Sequence, residues 1–154
     1  MGSWIQRQIK GFFFALPLMF LLFGLYHGYL FPYRRGGSPE GIGFWALLIP
    51  IAILCLFLHE GIHGIGWRLF GKTPAGSIVF RRRGILPVCI CRSCLSRSHY
   101  LAGRLLPLWT FGSAGMAALV LAPGRLSLAV AEIMIYLSGA DIREAFSLLK
   151  DEVE

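Results

Sequence analysis

Two histidines and a glutamate lie within five consecutive residues, His59-Glu60-Gly61-Ile62-His63. In an α-helix, residues i and i+4 lie on the same face, so both imidazoles can reach one metal ion. The glutamate between them is placed to take a proton from water, and zinc lowers the pKa of bound water towards about 7. The pattern predicts a zinc site with His59 and His63 as ligands and Glu60 as the base.

These residues directly follow an apolar run, residues 41–58, which contains no Asp, Glu, Lys or Arg. Ionisable side chains at the end of such a run are costly to hold in a membrane and usually have a function. The alternative is that the two imidazoles and the carboxylate only form hydrogen bonds at the membrane edge.

A catalytic zinc ion usually has three protein ligands, and helix length suggests the third. His59 lies about 26 Å along a helix from Ile42, and Asp141 lies about 23 Å along a helix from Leu126. If both helices run inward from the same membrane surface, His59 and Asp141 reach the same depth. Asp141 is therefore a candidate ligand.

The sequence also allows a different role for Asp141. Ser138-Gly139 would let the backbone loosen and turn the carboxylate inward as a ligand, whereas Asp141-Ile142-Arg143-Glu144 has the form of a capping box that would begin a separate last helix. Glu132 is a competing acid, but on a regular helix it faces away from Asp141. Sequence patterns alone leave the two roles of Asp141 open.

A second group of potential ligands is Cys89, Cys91 and Cys94 with His99. Three thiols and an imidazole can hold a structural metal ion, and Cys91 with Cys94 can act as a dithiol. The third alternative is that the cysteines only pack among apolar neighbours.

Composition indicates where these groups must be placed. The 154 residues are 56% hydrophobic and only 15% charged, with a mean hydropathy of +0.65. Soluble domains average about 25% charged residues, so a soluble or disordered protein is excluded, and four cysteines are too few for a disulfide scaffold. The length suits a single domain. The net charge is +7, and the Lys and Arg residues lie next to the apolar runs, which favours lipid headgroups over nucleic acid as partners.

The apolar runs predict an all-α membrane bundle of about four transmembrane helices. The expected helices are residues 11–33, 42–71, 100–123 and 126–140, followed by an amphipathic C-terminal helix, residues 142–151. The connecting loop, residues 72–99, contains two short strand-like segments and should form a β-hairpin-like structure. We expect the first of these segments, Ser77–Phe80, to pair with an unwound substrate by strand addition.

Orientation follows from the distribution of Lys and Arg. Eight of these residues lie between the second and third apolar runs, against two between the first and second and one between the third and fourth. The positive-inside rule places the basic loop in the cytoplasm, and both termini with it.

Taken together, these residues resemble the zincin peptidase family of small bacterial and archaeal membrane proteins. The likeness covers roughly residues 40–150 and depends on three elements: the His59–His63 segment, the cysteine-bearing loop leading to Tyr100 and Pro107, and Ser138-Gly-Ala-Asp141 ahead of Leu148-Leu-Lys150. More distantly, the chain is similar to the site-2 proteases, which are intramembrane zinc enzymes.

The resemblance implies Zn²⁺ bound by His59, His63 and Asp141, with Glu60 as the base. It also implies hydrolysis of peptide bonds in a peptide or transmembrane protein substrate, within or beside the cell membrane of a prokaryote. Site-2 proteases use an asparagine near the scissile carbonyl, and this chain contains no Asn, so a backbone N–H, a His or an Arg would have to serve. The alternative function is a non-enzymatic membrane protein that binds metal or cycles a dithiol through Cys89, Cys91 and Cys94.

Overall fold

The computed structural model describes residues 2–30, 41–83 and 86–150. Within these ranges the chain forms four long helices and one hairpin, in the order α1 Gly2–Leu25, α2 Ile42–Gly71, β1 Ile78–Arg83, β2 Leu86–Cys91, α3 Arg97–Leu121 and α4 Arg125–Lys150. A π-helical turn, Tyr26–Leu30, continues α1, and a short 3₁₀ turn, Ala75–Ser77, precedes β1. The predicted helical membrane bundle with a small hairpin is confirmed.

Three of these helices are long and apolar enough to cross a membrane: Ile9–Leu30, which includes most of α1, then α2 and α3. Large apolar side chains cover their outer surfaces, as on α2, where Ile53, Leu54 and Phe57 are all exposed. Such a surface suits hydrocarbon rather than water, so the chain is membrane-associated.

The helices pack in the spatial order α1, α4, α3, α2, and α2 also contacts α4 and the hairpin. Their buried core lies where α1, α3 and α4 meet and consists of Ala15, Leu22, Tyr26, Leu119, Leu128, Ala131 and Ile135. Since α4 packs against each of the other helices, a side chain on α4 can face α2 across the bundle.

The expected break between residues 140 and 142 is wrong, because α4 continues through it as far as Lys150. Gly139 serves close packing instead of a turn: a methyl group there would collide with the carbonyl oxygen of Gly11 on α1. Asp141 therefore lies inside a helix, and its alternative role as the cap of a separate helix is also wrong. Residue 151 of the expected last helix lies outside the described residues.

The other helix boundaries differ by a few residues. Helix α1 begins before residue 11, and residues 31–33 of the expected first helix lie outside the described ranges. Helix α3 begins at Arg97 instead of residue 100, because Ser96 caps it by accepting a hydrogen bond from the backbone N–H of His99.

The hairpin is antiparallel, with Phe80 opposite Cys89 and Arg81 opposite Val88. The three arginines Arg81–Arg83 belong to β1, which therefore extends beyond the predicted segment Ser77–Phe80. Strand β2 lies against α2, and this contact brings the hairpin next to the residues that could do chemistry.

Candidate metal centre

Three potential metal ligands meet at the centre of the bundle. His59 and His63 lie one turn apart on α2, and Asp141 reaches them from α4, so that one ligand atom of each lies within 4.8 Å of the others. It is the one such group of His, Cys, Asp and Glu within the described ranges. All three side chains are buried, with relative exposures of 3%, 0% and 2%.

The distances within this cluster suit a small metal ion. Asp141 Oδ2 lies 3.0 Å from His59 Nε2 and 3.2 Å from His63 Nε2. Ligand atoms about 2.0–2.1 Å from a tetrahedral zinc ion lie roughly 3.3 Å from each other. The two distances from Asp141 to the imidazoles are therefore close to those that zinc would require.

Two of the candidate ligand atoms also lack a hydrogen-bond partner. Despite their closeness, His63 Nε2 and Asp141 Oδ2 have no well-aligned hydrogen bond in the described part of the chain. Buried polar atoms are normally satisfied, and a fully buried unsatisfied pair is costly. Zinc would satisfy both atoms, so the residues fit this ion.

The two imidazoles are held from behind. His63 Nδ1 lies 3.3 Å from the backbone carbonyl oxygen of Gly103 on α3, which favours a proton on Nδ1 and a free lone pair on Nε2. The His63 ring stacks on Trp67 at 5.6 Å, and the His59 ring stacks on Phe111 at 6.0 Å. The His63 ring is thus oriented by two contacts, whereas the His59 ring is held by stacking and its buried Nδ1 has no hydrogen-bond partner among the described residues.

Glu60 lies beside the cluster and is attached to the hairpin. Its Oε2 accepts a hydrogen bond from the backbone N–H of Cys89 at 2.6 Å. In an antiparallel hairpin, the N–H groups of alternate residues point towards the partner strand and away from it. The Arg92 N–H points towards β1, because it donates to the Ser77 carbonyl, so the N–H of Cys89, three residues earlier, points away from β1. Strand β2 thus orients the carboxylate.

A network that the sequence did not reveal supports Asp141 from its other side. Arg104 on α3 places Nε 3.0 Å from Asp141 Oδ1 and its terminal nitrogen Nη2 3.0 Å from Glu144 Oε2. Tyr100 donates its hydroxyl to Glu144 Oε1 at 2.7 Å. The one sequence signal for this network is that Arg104 lies inside the predicted helix of residues 100–123, where an arginine is costly without partners.

A family model described as "Putative zincin peptidase" matches residues 52–152, more than half of the chain. The chain belongs to this family. No curated protein and no solved structure gives a significant match. For a zincin, the family assignment implies zinc, and the His59, His63 and Asp141 cluster is a site that could hold it.

The matched range includes every residue of the zincin site described above. Helix α1 lies before the matched range, yet it helps to enclose the site. A cavity of about 1210 Å³ lies between α1, α2, α4 and β2, and Arg104 of α3 also lines it. Its wall includes His59, Glu60 and Asp141 at one part and apolar side chains such as Phe12, Ile53 and Leu137 at another.

The strand expected to bind substrate is not the one beside this zincin site. Pro87 and Val88 of β2 line the cavity, whereas Ser77–Phe80 do not. The reason is the hairpin's orientation: β2 packs on α2 and borders the cavity, whereas the side chains of Ile78 and Phe80 on β1 reach α2 at Gly64, which is not part of the cavity wall. The predicted substrate contact at Ser77–Phe80 is therefore without support in the cavity's geometry.

The cysteines of the loop behave differently from one another. Cys89 is buried against α2, Cys91 is half-buried and Cys94 is exposed, and all three are free thiols. Burial, together with the charge of Glu60, raises the pKa of Cys89 to about 11. Cys89, Cys91, Cys94 and His99 form no group of potential metal ligands among the described residues.

Proposed function

We propose that this chain is a zinc-dependent peptidase that hydrolyses peptide bonds within or beside the membrane. The observation that supports this most strongly is the convergence of His59, His63 and Asp141 from two helices on one small volume. The family assignment independently points to a zincin peptidase.

In this proposal His59, His63 and Asp141 hold the ion. Zinc bound there supplies Lewis-acid polarisation of water and of the scissile carbonyl. Glu60 removes the proton from the attacking water and later donates it to the leaving amine. Because Oε2 already accepts the hydrogen bond from Cys89 N–H, we expect Oε1 to be the atom that carries this proton.

The cavity suggests the class of substrate. A peptide bond placed beside Glu60 would have its flanking residues against apolar side chains of α1, α2 and α4. We therefore propose an apolar peptide or a transmembrane segment of another protein as the substrate. Such a segment must be locally unwound, because a helical peptide bond is shielded from attack.

The hairpin suggests how deep the site lies in the membrane. His59 lies 12 residues before the last residue of α2, or about 18 Å along the helix axis, on the half of the helix that packs against β2. Since the positive-inside rule places the basic hairpin in the cytoplasm, we propose that the site lies within the membrane near the cytoplasmic surface, with both termini also cytoplasmic.

Zinc content per purified chain tests the ligand assignment. We expect one zinc in the parent, loss of zinc in His63→Ala and Asp141→Ala, and retention in Cys91→Ser. Loss of zinc only in Cys91→Ser would refute the proposal and favour the metal-binding loop instead.

A further inference from the structure

Arg104 is a buried cation that the proposed reaction does not use. Its side chain is 17% exposed, and it lies on the side of Asp141 that faces away from the two imidazoles. A buried arginine is retained only where its charge and its donors are matched. Its partners therefore indicate what it does.

The contacts form a regular pattern between two helices. Tyr100 and Arg104 lie four residues apart on one face of α3, and Asp141 and Glu144 lie three residues apart on one face of α4. The guanidinium spans the α4 pair: Nε forms an ion pair with Asp141 that is not a well-aligned hydrogen bond, and Nη2 donates a hydrogen bond to Glu144. Each carboxylate is thereby held by the same rigid fork.

We propose that Arg104 is the positioning residue of the zinc site, which holds Oδ1 of Asp141 so that Oδ2 alone is presented to the metal. This inference rests on the proposed function. A free carboxylate turns easily about its last torsion and can bind a metal through either oxygen or through both. With Arg104 on Oδ1, only one of these arrangements remains.

Glu144 and Tyr100 make this arrangement compatible with a cation. Arg104 by itself would bring a positive charge close to Zn²⁺ and weaken its binding. The ion pair with Glu144 cancels that charge, and the Tyr100 hydroxyl holds the second oxygen of Glu144. The three residues therefore act as a neutral clamp on Asp141.

Zinc affinity, measured by competition with a coloured chelator on the full chain in detergent micelles, tests the role of Arg104. Loss of such an outer contact weakens metal binding by about 10–100-fold, and we expect this range for Arg104→Gln. Arg104→Lys keeps the positive charge but cannot span both carboxylates, so its zinc affinity should be closer to that of Arg104→Gln than to that of the parent. Arg68→Gln is the matched control, because Arg68 is an exposed arginine on α2.

A double-mutant comparison separates positioning from general support of the fold. Asp141→Ala should lose zinc during purification, but the two imidazoles should still bind added zinc weakly; if Arg104 acts through Asp141, Arg104→Gln has no further effect on that weak affinity. An equal fold-loss in both backgrounds would overturn the inference. So would an affinity of Arg104→Gln within twofold of Arg68→Gln.

If Arg104→Gln does not fold, Glu144→Gln and Tyr100→Phe provide the same test. Both should bind zinc more weakly than Arg68→Gln, and Glu144→Gln more so, because it leaves the Arg104 cation uncompensated. Unchanged affinity in both overturns the inference. If the parent binds no zinc, or if His63→Ala retains zinc, both the proposed function and this inference fail. If zinc binding depends on His63 but not on Arg104, Glu144 and Tyr100, only the inference fails.

Discussion

The backbone N–H of Cys89 donates a hydrogen bond to Oε2 of Glu60 at 2.6 Å, so the hairpin and the histidine-bearing helix share one carboxylate. This contact joins an element outside the bundle to the residue proposed as the base. It gives the hairpin a role in the site that does not require any of its side chains to react.

Glu60→Gln should retain zinc and lose most of its activity. The amide keeps an oxygen that accepts from Cys89 N–H, but it cannot take a proton from water. Loss of a general base costs about 10²–10⁴ in rate, so kcat/KM for a peptide substrate should fall by that factor. Glu132→Gln on α4, which lies outside the cavity wall, is the control. Turnover by Glu60→Gln at the parent's rate would exclude Glu60 as the base.

Zinc should stabilise the folded chain. The cluster draws its ligands from α2 and α4, so binding joins two helices that are far apart in the sequence. At a free zinc concentration about 100 times the dissociation constant, the gain in free energy of unfolding is about 2.7 kcal/mol. Thermal unfolding in detergent, with and without a chelator, measures the difference, and His63→Ala should show none.

The loop cysteines should react with an alkylating reagent at different rates. The pKa of Cys89 is raised to about 11, because the thiol is buried and lies near the negative charge of Glu60. Only the thiolate reacts, so at pH 8 Cys89 should be modified about a hundredfold more slowly than a thiol with an ordinary pKa of about 8.5. Its rate should rise with pH up to about 11.

Mass spectrometry of each labelled cysteine against time provides the measurement, with the exposed Cys94 as the internal reference. Cys89 reacting as fast as Cys94 at pH 8 would contradict the burial of its thiol. A metal ion held by the loop thiols would appear in the same experiment as protection of Cys91 and Cys94 that a chelator removes.

Local spacing was sufficient to predict part of this site. His59, Glu60 and His63 could be assigned because a helix fixes the geometry of residues four apart. The position of Asp141 at the depth of the histidines could be predicted from the helical rise per residue. The helical structure around Asp141 could not be predicted, because Ser138-Gly139 resembles a turn and only the packing against α1 shows why a glycine is needed there.

The remaining contacts are tertiary and leave no local pattern. Arg104 and Asp141 are 37 positions apart in the sequence, and Glu60 meets Cys89 through a backbone N–H that no side-chain pattern marks. A two-stranded hairpin can also be predicted without knowing which strand will pack on the bundle. That choice depends on the neighbouring helix, and it places β2 beside the cavity instead of the predicted segment Ser77–Phe80.

The close crossing of α1 and α4 gives a final prediction, since it fixes the part of α4 that carries Asp141. A Cβ atom at Gly139 would collide with the Gly11 carbonyl and lie 3.0 Å from the Ala15 methyl group, so Gly139→Ala must push the helices apart. Overpacking of this kind costs about 1–3 kcal/mol in free energy of unfolding. Gly112→Ala on α3 is the matched control, because its Cβ would meet no atom within 4 Å and alanine favours the helix. Gly139→Ala should therefore unfold at a lower temperature and bind zinc more weakly, since Asp141 lies two residues further along the displaced helix. A variant as stable as Gly112→Ala, with the parent's zinc affinity, would show that α1 does not position the carboxylate.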